Sequence, residues 1–486
     1  MLKNKTVQVI TMLAVANLIS CASHTNKLND LDFISNSNKT WLAGDHHIHG
    51  KYSAKWNWDS QPPTPILFGD AHYFTALNAQ MAEFHGLDWM VTTDHGGPNH
   101  SKVNLEQAYP ELVASRQAIP GILQFYGMEF DMPSARHATL IIPQNESESQ
   151  QLYTIESQFN RREIYPDESS RDTDEFLNKA LTAMQAMSPK PILSINHPAR
   201  KAPGLGQYEK ITPQKMRQWQ DIAPDVITGM TAIPGHQAAT LNPDGSIDKM
   251  GIRAEYYGYP THGGADQMSA IVGGVWDSFL GEGRRWSVTA VSDSHAHFTE
   301  ERTDFWPGEY AKTYVYAEKS YPSVFAGLRS GNVFITTGDL INELFVTIKQ
   351  GDEVANIGEQ LQLDNSKTSI VTIAFKTPKK ANFNQDIVKV ARVDLIFGQV
   401  HNNKQYIENN TNPTTRVIKR FDSNDWQQVG DYQVMHYTLP ANLGDSYIRV
   451  RGTNLANELE PQVDPKGENP WSDLWFYSNP IYLRSL

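Results

Sequence analysis

Residues that can bind divalent metal ions stand at the ends of predicted strands in the first part of the chain. The first predicted strand ends in Asp-His-His-Ile-His, which contains His47 and His49, and a later one ends in Asp-Ser-His, which contains Asp293 and His295. Residues i and i+2 of a strand face the same way, so each pair can point at one ion. Imidazole and carboxylate ligands together suit zinc, manganese or iron.

Three further predicted strands end in the same residue types. They end in Thr93-Asp94-His95, Gly127-Met128-Glu129 and Asn196-His197-Pro198, and His137 follows soon after the second of them. A glutamate among several histidines can bridge two ions that lie about 3.5–4 Å apart. Such a pair of ions lowers the pKa of water towards neutrality, and the resulting hydroxide attacks phosphorus or a carbonyl carbon.

These side chains need a framework that brings strand ends together. Between residue 41 and about residue 340, short apolar runs alternate with amphipathic stretches. The predicted helices cover 73–84, 105–117 and 173–187, and the predicted strands cover 87–92, 122–129, 192–196, 226–230 and 287–292. This alternation predicts parallel strands in a barrel or an open α/β sheet, and in a barrel the carboxyl ends of the strands converge on one face.

The pattern changes after about residue 340 to an alternation with period two. Phe345-Val346-Thr347-Ile348 and Ile448-Arg449-Val450-Arg451 are examples, and Asn, Asp, Gly and Pro punctuate the intervals. Short alternating segments separated by turn residues are typical of all-β domains. We therefore predict a catalytic part over residues 41–340 and a β-sandwich-like domain over residues 341–486.

The first residues predict export rather than a part of the fold. Lys3 and Lys5 precede an apolar run from Val7 to Ile19, and Cys21 follows closely. A short basic region and an apolar run of this length are typical of a signal peptide, here residues 1–21. Its end resembles a bacterial lipobox, so we expect lipidation at Cys21, a polar tether over residues 22–40 and anchoring in the bacterial cell envelope.

Composition narrows the classes of function. The chain has 486 residues with 42 Lys+Arg against 54 Asp+Glu, a net charge of −12. That balance argues against nucleic acid as a partner, which needs a basic surface. A single cysteine excludes an intramolecular disulfide and a zinc site built from thiolates.

Taken together, the motifs resemble the PHP (polymerase and histidinol phosphatase) family of metal-dependent hydrolases. Asp45-His46-His47-Ile48-His49 through Ser53 is similar to the family's opening motif, and the later motifs follow in the same order over residues 41–340. With the lipobox and the end of the chain, the sequence looks most like the branch with CehA/McbA-type hydrolases. The resemblance implies a distorted (β/α)₇ barrel with two metal ions, or three.

The resemblance also implies which residues bind each ion. The first ion would be held by His47, His49, Glu129 and Asp293. The second would be held by Glu129, His137 and His197, with Glu129 as the bridge. A third would use His95, His295 and a further histidine, but that position is Lys55 in this chain. An ammonium group cannot bind a metal ion, so we expect two ions and keep a third as the alternative.

Four other residues are candidates for supporting roles. Asp94 would orient a ligand histidine, with a simple turn residue as the alternative. Arg200 would bind a phosphate through both guanidinium arms, unless it is a solvated loop arginine. Lys55 would neutralise a phosphate or carboxylate, and His236 would contact the substrate.

We therefore expect an exported, lipid-anchored phosphoesterase that uses a metal-activated hydroxide on a small anionic substrate. Mn²⁺, Zn²⁺ and Fe²⁺ all suit the ligands. One alternative is an ester, amide or carbamate hydrolase on the same metal centre. Another is an envelope lipoprotein that binds a ligand without catalysis.

Overall fold

The computed structural model describes residues 38–486. The predicted signal peptide, the predicted lipidation at Cys21 and most of the predicted tether lie outside these residues. Within the described range, none of the helices has both the length and the apolar character that a membrane span needs.

Eleven strands and nine α-helices lie in the part of the described chain up to residue 340. The strands are β1 (Thr40–Ile48), β2 (Lys55–Asn57), β3 (Thr64–Ile66), β4 (Trp89–Thr92), β5 (Leu123–Asp131), β6 (His137–Ile142), β7 (Ile192–Ile195), β8 (Ile227–Ile233), β9 (Ser287–Ala290), β10 (Ala311–Ala317) and β11 (Val333–Thr337). The helices are α1 (Thr75–Phe84), α2 (His100–Val103), α3 (Tyr109–Ala118), α4 (Glu148–Phe159), α5 (Asp174–Ala186), α6 (Pro213–Ile222), α7 (Gln267–Ala270), α8 (Val275–Gly281) and α9 (Tyr321–Ser330). A π-helical turn, Asn104–Ala108, joins α2 to α3.

In the rest of the chain, the regular secondary structure is almost entirely β-strand. Its strands are β12 (Glu343–Gln350), β13 (Glu353–Asn356), β14 (Gln360–Leu363), β15 (Ser369–Lys376), β16 (Arg392–Gln399), β17 (Arg416–Phe421), β18 (Gln427–Val429), β19 (Tyr432–Leu439), β20 (Ser446–Thr453), β21 (Trp475–Ser478) and β22 (Ile481–Ser485). One short helix, α10 (Lys404–Glu408), lies among them.

The helix α5 shows why the predicted helices form. The Thr173 side chain accepts a hydrogen bond from the backbone amide of Phe176 and so caps the amino end. Leu177, Leu181 and Met184 recur at helical spacing and are all buried. The three predicted helices and five predicted strands of the first part are confirmed to within a few residues, except that the helix over 105–117 begins with the π-helical turn.

The first part of the chain forms a mixed sheet in the order β1-β4-β5-β6-β7-β8-β9. The pairs β1–β4, β4–β5, β7–β8 and β8–β9 are parallel, as expected. The strand β6 was not predicted, and it pairs antiparallel with both β5 and β7. The short connection from Asp131 to His137 explains this, because a parallel pair needs a much longer crossover.

The carboxyl ends of the first and seventh strands of this order meet. An isolated parallel bridge joins Ile48 to Ser294, and the amide of His49 donates to the carbonyl of Ser294 at 2.9 Å. The Asp45 carboxylate accepts hydrogen bonds from the amides of His47 and Ser292 at 2.9 and 3.0 Å. These contacts hold the end of β1 against the segment after β9. The distorted barrel itself stays a prediction.

The C-terminal strands divide between two sheets. Five of them form an antiparallel sheet in the order β13-β12-β15-β19-β18. The others extend the large sheet, because β21 pairs antiparallel with β11, and β10 pairs with both β11 and β1. The predicted antiparallel β region is therefore present. The large sheet, however, continues across residue 340. The division into two domains at this point stays a prediction.

A buried ion pair also connects the two parts. Arg449 on β20 donates through Nε and Nη2 to the Asp277 carboxylate on α8, at 2.9 and 2.7 Å. Both side chains are almost fully buried, and the guanidinium lies over the ring of Trp276. Removing either partner would leave an unpaired charge in the interior.

Candidate metal centre

The ends of six strands bring the eight predicted metal ligands to one region. They are His47 on β1 and His49 just after it, His95 after β4, Glu129 on β5, His137 at the start of β6, His197 after β7, and Asp293 and His295 after β9. His137 joins the others because β6 runs antiparallel, so its first residue lies opposite Asp131 near the end of β5. The sequence alone did not indicate this reversal.

The first group consists of buried side chains with their donor atoms turned towards each other. His47 Nε2 lies 3.2 Å from Glu129 Oε1 and 3.2 Å from Asp293 Oδ1. His49 Nε2 lies 3.0 Å from His47 Nε2 and 3.1 Å from Asp293 Oδ1. Ligand atoms in a tetrahedral zinc site lie roughly 3.4 Å apart, given metal–ligand bonds of about 2.0–2.1 Å. The donor set and its spacing therefore fit a divalent ion.

The second group shares Glu129 with the first. Glu129 Oε1 lies 3.2 Å from His137 Nδ1 and 3.3 Å from His197 Nε2. Its other oxygen, Oε2, lies 3.0 Å from His95 Nδ1. The amide nitrogen of Asn196 donates to Oε1 at 2.9 Å and holds the carboxylate in place. Glu129 thus lies between two sets of imidazoles, as a bridging carboxylate would.

A third group involves a carboxylate that the sequence did not reveal. Asp70 Oδ2 lies 3.8 Å from His95 Nε2 and 3.6 Å from His295 Nε2. The rings of His49 and His295 stack at 3.8 Å between centroids, and His49, His95 and His295 could together hold an ion. Asp70 lies in an irregular segment between β3 and α1, where no periodic pattern marks a single aspartate as functional.

The two carboxylates at the centre stay ionised despite their burial. Burial raises the pKa of Glu129, but the histidines around it outweigh this and hold the pKa well below the usual value. The same balance, with His47 and His236 as the nearest charges, holds the pKa of Asp293 well below its usual value. Negative charge is therefore concentrated where a cation would bind.

The histidines divide into two classes. Burial lowers the pKa of His197 to about 4 and lowers that of His49 well below the usual value, so both are neutral near pH 7 and can bind a metal ion. His95 is partly exposed, and the Glu129 carboxylate outweighs the effect of desolvation and raises its pKa to about 9. In the absence of a metal ion, a proton on His95 neutralises part of the carboxylate charge.

Asp94 contacts the ligand histidines only through an intermediary. Its Oδ1 accepts hydrogen bonds from the amide of Gly50 at 2.7 Å and from the Ser53 hydroxyl at 3.2 Å. The Ser53 hydroxyl lies 2.8 Å from His49 Nδ1. The structure thus links Asp94 to His49 through Ser53, and the predicted orienting role stays a prediction.

Arg200 and His236 line the space in front of the ligands, and Lys55 lies beside it. Arg200 Nη1 lies 3.9 Å from Asp293 Oδ2, and its Nη2 donates to Glu255. His236 Nε2 lies 3.1 Å from Asp293 Oδ2, and its Nδ1 is hydrogen-bonded to Asp304. Burial would lower the pKa of His236, but Asp304 and Asp293 raise it to about 10.

Lys55 is exposed and lines an adjoining cavity with His95 and His137. The predicted substrate contacts of Lys55, Arg200 and His236 stay predictions.

Backbone strain marks the turns that carry the site. His197, His236 and Asp293 have positive φ values of 31°, 56° and 50°. Such values are uncommon outside glycine, and residues that adopt them often cluster at functional sites. All three residues follow directly on a strand of the large sheet or lie in the turn after it.

Comparison with known proteins adds little. No family model and no curated protein matches this chain. A solved structure described as Endonuclease Q in complex with a 27-mer duplex substrate with an abasic lesion at the active site has 11% sequence identity and a TM-score of 0.29. The match covers 60% of this chain and 56% of that one, so it extends over little more than half of either. A likeness this low carries no argument about fold or function.

Proposed function

We propose that the chain is a metal-dependent phosphoesterase of the PHP type that hydrolyses a small phosphorylated substrate. The position of Glu129 carries the proposal. This buried carboxylate lies 3.0–3.3 Å from nitrogens of four imidazole rings, and these rings belong to different strand ends. A site that only binds a ligand has little use for a carboxylate between two sets of metal ligands.

We assign the ligands to two ions as the resemblance to the PHP family implies. The first ion would be held by His47, His49, Glu129 and Asp293, and the second by Glu129, His137 and His197. Divalent ions in such a pair lower the pKa of water towards neutrality and neutralise charge on phosphate oxygens. Mn²⁺, Zn²⁺ and Fe²⁺ all suit imidazole and carboxylate ligands.

The remaining side chains of the cavity would bind and orient the substrate. The cavity in front of the ligands has a volume of about 300 Å³, and Arg200 and Arg302 lie in its wall. Because the whole chain carries a net charge of −12, attraction of an anionic substrate depends on such local cations. The His236 ring lies between Asp304 and Asp293 and lines the cavity, where it would contact the substrate.

Metal analysis and turnover test the proposal together. The full chain is purified in detergent, its metal content is measured, and turnover of p-nitrophenyl phosphate and p-nitrophenyl acetate is followed with Mn²⁺ or Zn²⁺. We expect two ions per chain and turnover of the phosphate ester. Glu129→Gln should lose most of the bound metal and the activity, whereas Glu353→Gln, an exposed glutamate on β13, should behave like the unchanged chain.

The other results separate the competing functions. Turnover of the acetate ester alone would replace the phosphoesterase with a carboxylic ester hydrolase on the same centre. A chain that binds no metal and turns over neither ester is not a hydrolase of this kind. Metal binding without turnover of any ester would point to a ligand-binding protein.

We further propose export and attachment of lipid at Cys21. The support is the sequence pattern of residues 1–21, in which two lysines precede an apolar run and the single cysteine. Radiolabelled palmitate should be incorporated into the chain expressed in a bacterium and absent from Cys21→Ser. Equal labelling of both chains would contradict the proposal.

A further inference from the structure

A second cavity adjoins the one that holds the metal ligands. It has a volume of about 470 Å³, against about 300 Å³ for the first. Asp70, His95 and His137 line both cavities, so the two meet at the candidate metal centre. Both volumes lie within the range of cavities that bind small molecules.

The wall of the second cavity is aromatic and cationic. Its other lining residues are Ala54, Lys55, Trp56, Trp58 and Arg162. Trp58 is 59% exposed, and its ring lies 6.1 Å from that of Tyr165. A large exposed indole at the edge of a cavity offers a flat surface on which a planar ring can stack.

Each cavity also contains a cation that has no carboxylate partner within the described part of the chain. Among residues 38–486, no carboxylate lies within salt-bridge distance of Lys55 in the second cavity or of Arg302 in the first. Arg302 has only a weak contact, in which its Nη2 lies 3.5 Å from His72 Nε2. By contrast, Arg162 is paired with Asp131 at 2.8 Å, and Arg200 is paired with Glu255. Lys55 and Arg302 are therefore available to negative charge on both sides of the metal centre.

A phosphate monoester would use only one of these cavities. Its phosphorus carries one organic group, so with the phosphate at the metal ligands a single cavity suffices. A phosphodiester carries two organic groups, and these leave the phosphorus in different directions. Two cavities that meet at the metal ligands match this shape.

We propose that the substrate is a phosphodiester and that the cavity of Trp58 binds a planar aromatic group on one of its alcohols, such as a nucleobase or a phenyl ring. The inference rests on the proposed phosphoesterase function. Hydrolysis of such a diester consumes one water, breaks one phosphorus–oxygen bond and releases one alcohol and one phosphate monoester.

Matched substrates and one variant test the inference. The full chain with Mn²⁺ is given bis(p-nitrophenyl) phosphate, methyl p-nitrophenyl phosphate and p-nitrophenyl phosphate. We expect kcat/KM to be higher for both diesters than for the monoester. Because stacking on an aromatic side chain contributes about 1–3 kcal/mol per ring, Trp58→Ala should lower kcat/KM for bis(p-nitrophenyl) phosphate about tenfold or more. Phe84→Ala serves as the control, since Phe84 is 70% exposed and lines neither cavity.

Inhibition constants measure binding at the site separately from the rate of ester hydrolysis. Inorganic phosphate and thymidine 5′-monophosphate both present phosphate to the metal centre, but only the nucleotide has a ring for the second cavity. Trp58→Ala should raise the inhibition constant of the nucleotide about tenfold and leave that of phosphate unchanged. An equal change for both inhibitors would mean that Trp58 supports the metal centre and not a ring.

The results also separate this inference from the proposed function. Faster turnover of the monoester, with no effect of Trp58→Ala, would overturn the diester subsite and leave the phosphoesterase intact. Failure to turn over any phosphate ester would overturn both.

Discussion

At the scale of single residues, the candidate site depends on two buried carboxylates that keep their charge. The pKa values of Glu129 and Asp293 are both held well below their usual values by surrounding histidines. A metal ion would take over this role from the protonated imidazoles, so binding of the ion must release protons. The site is therefore electrostatically prepared for a cation rather than for a neutral ligand.

Ser53 provides a test of how the ligands are oriented. Its hydroxyl connects Asp94 to His49, at 3.2 and 2.8 Å respectively. Loss of a partner that orients a metal-binding histidine typically lowers metal affinity about 10- to 100-fold. We expect Ser53→Ala to show a loss of this size when Mn²⁺ or Zn²⁺ is titrated into the chain.

Two further variants make the Ser53 result specific. Ser53→Thr retains a hydroxyl and should recover part of the affinity, and Ser423→Ala changes an exposed serine on a distant turn and should have no effect. Unchanged affinity in Ser53→Ala would show that the hydroxyl does not position His49.

Sequence reasoning found the ligands but not all of their neighbours. Period-two spacing in the sequence identified His47, His49 and Asp293, although Asp293 lies in the turn after β9 and not in a strand. Asp70 and Asp304 escaped notice, since each is a single aspartate in an irregular segment. Only the folded chain places Asp70 next to His95 and His295.

At the scale of elements, the turns after the strands determine the geometry of the site. Asp293 follows β9 with a φ of 50°, and Gly235 in the turn after β8 packs directly against it. A Cβ atom at Gly235 would lie 1.9 Å from the Asp293 Cβ. The close approach of these two turns thus requires glycine at this position.

The substitution Gly235→Ala should therefore damage the metal centre without changing a ligand. The added methyl group must displace Asp293 or the backbone of Ser292, whose carbonyl oxygen lies 2.4 Å from the added carbon. Overpacking of this kind typically costs about 1–3 kcal/mol of stability. We expect lower metal affinity in titration and a lower midpoint of thermal unfolding followed by circular dichroism.

A matched glycine provides the control. At Gly204, the three atoms nearest to an added Cβ all belong to the amide end of the Gln207 side chain, the first at 3.0 Å, and this flexible group can move. Gly204→Ala should bind metal ions as the unchanged chain does. Equal metal affinity in Gly235→Ala would show that the turn adapts without moving Asp293.

The helices and strands were predictable from the sequence where their apolar periodicity is strong. They were not predictable where pairing with neighbouring strands determines the structure. The helix over 173–187 was predicted well because its buried positions recur at helical spacing. The strand β6 was missed, and its antiparallel direction depends on pairing with β5 and β7 rather than on its own residues. This direction is what places His137 beside Glu129.

At the scale of the whole molecule, six of the eleven C-terminal strands belong to the sheet that carries the site. The strand β21 pairs with β11, and the side chain of Asn479 accepts a hydrogen bond from the amide of Val288 on β9 at 2.8 Å. Arg449 pairs with the buried carboxylate of Asp277. The sequence showed a change of pattern near residue 340, but pairing across that point is a long-range property that local pattern does not reveal.

A chain truncated after residue 340 should therefore fail to fold stably. It would leave the edge of β11 and the buried Asp277 without partners, and breaking a buried ion pair alone typically costs about 3–5 kcal/mol. We expect residues 39–340 to be insoluble or to lack a cooperative thermal transition, whereas residues 39–486 should unfold cooperatively. A soluble, metal-binding chain of residues 39–340 would instead support two independent domains.

A second buried cluster makes stability depend on pH. Arg253 Nη1 lies 3.2 Å from Glu468 Oε2 and 3.8 Å from Asp473 Oδ2. Burial raises the pKa of Glu468 to about 7 and that of Asp473 to about 6, despite the guanidinium. The folded chain therefore binds these protons more tightly than the unfolded chain, so their stabilising effect is lost as pH rises from about 4.5 to about 7.

Replacement of Glu468 should remove much of this dependence. When pH rises from 5 to 8, the free energy of unfolding should fall by roughly 1–3 kcal/mol less in Glu468→Gln than in the unchanged chain, because the amide does not ionise. Urea unfolding at the two pH values measures the difference. In the exposed variant Glu353→Gln, the free energy of unfolding should fall as much as in the unchanged chain. A fall that is smaller by the same amount there would contradict the assignment of the pH dependence to Glu468.

The hydrogen bond from Val288 to Asn479 has a consequence for the order of events in a newly made chain. His47 and His49 emerge early, from a ribosome or through a translocation pore, whereas Asn479 emerges long after them. Because Asn479 holds the strand that leads to Asp293, we expect the full ligand set to form only after that late segment has arrived. A metal ion would then be acquired in whichever compartment receives the finished chain, and the ions available there would decide which metal this chain carries.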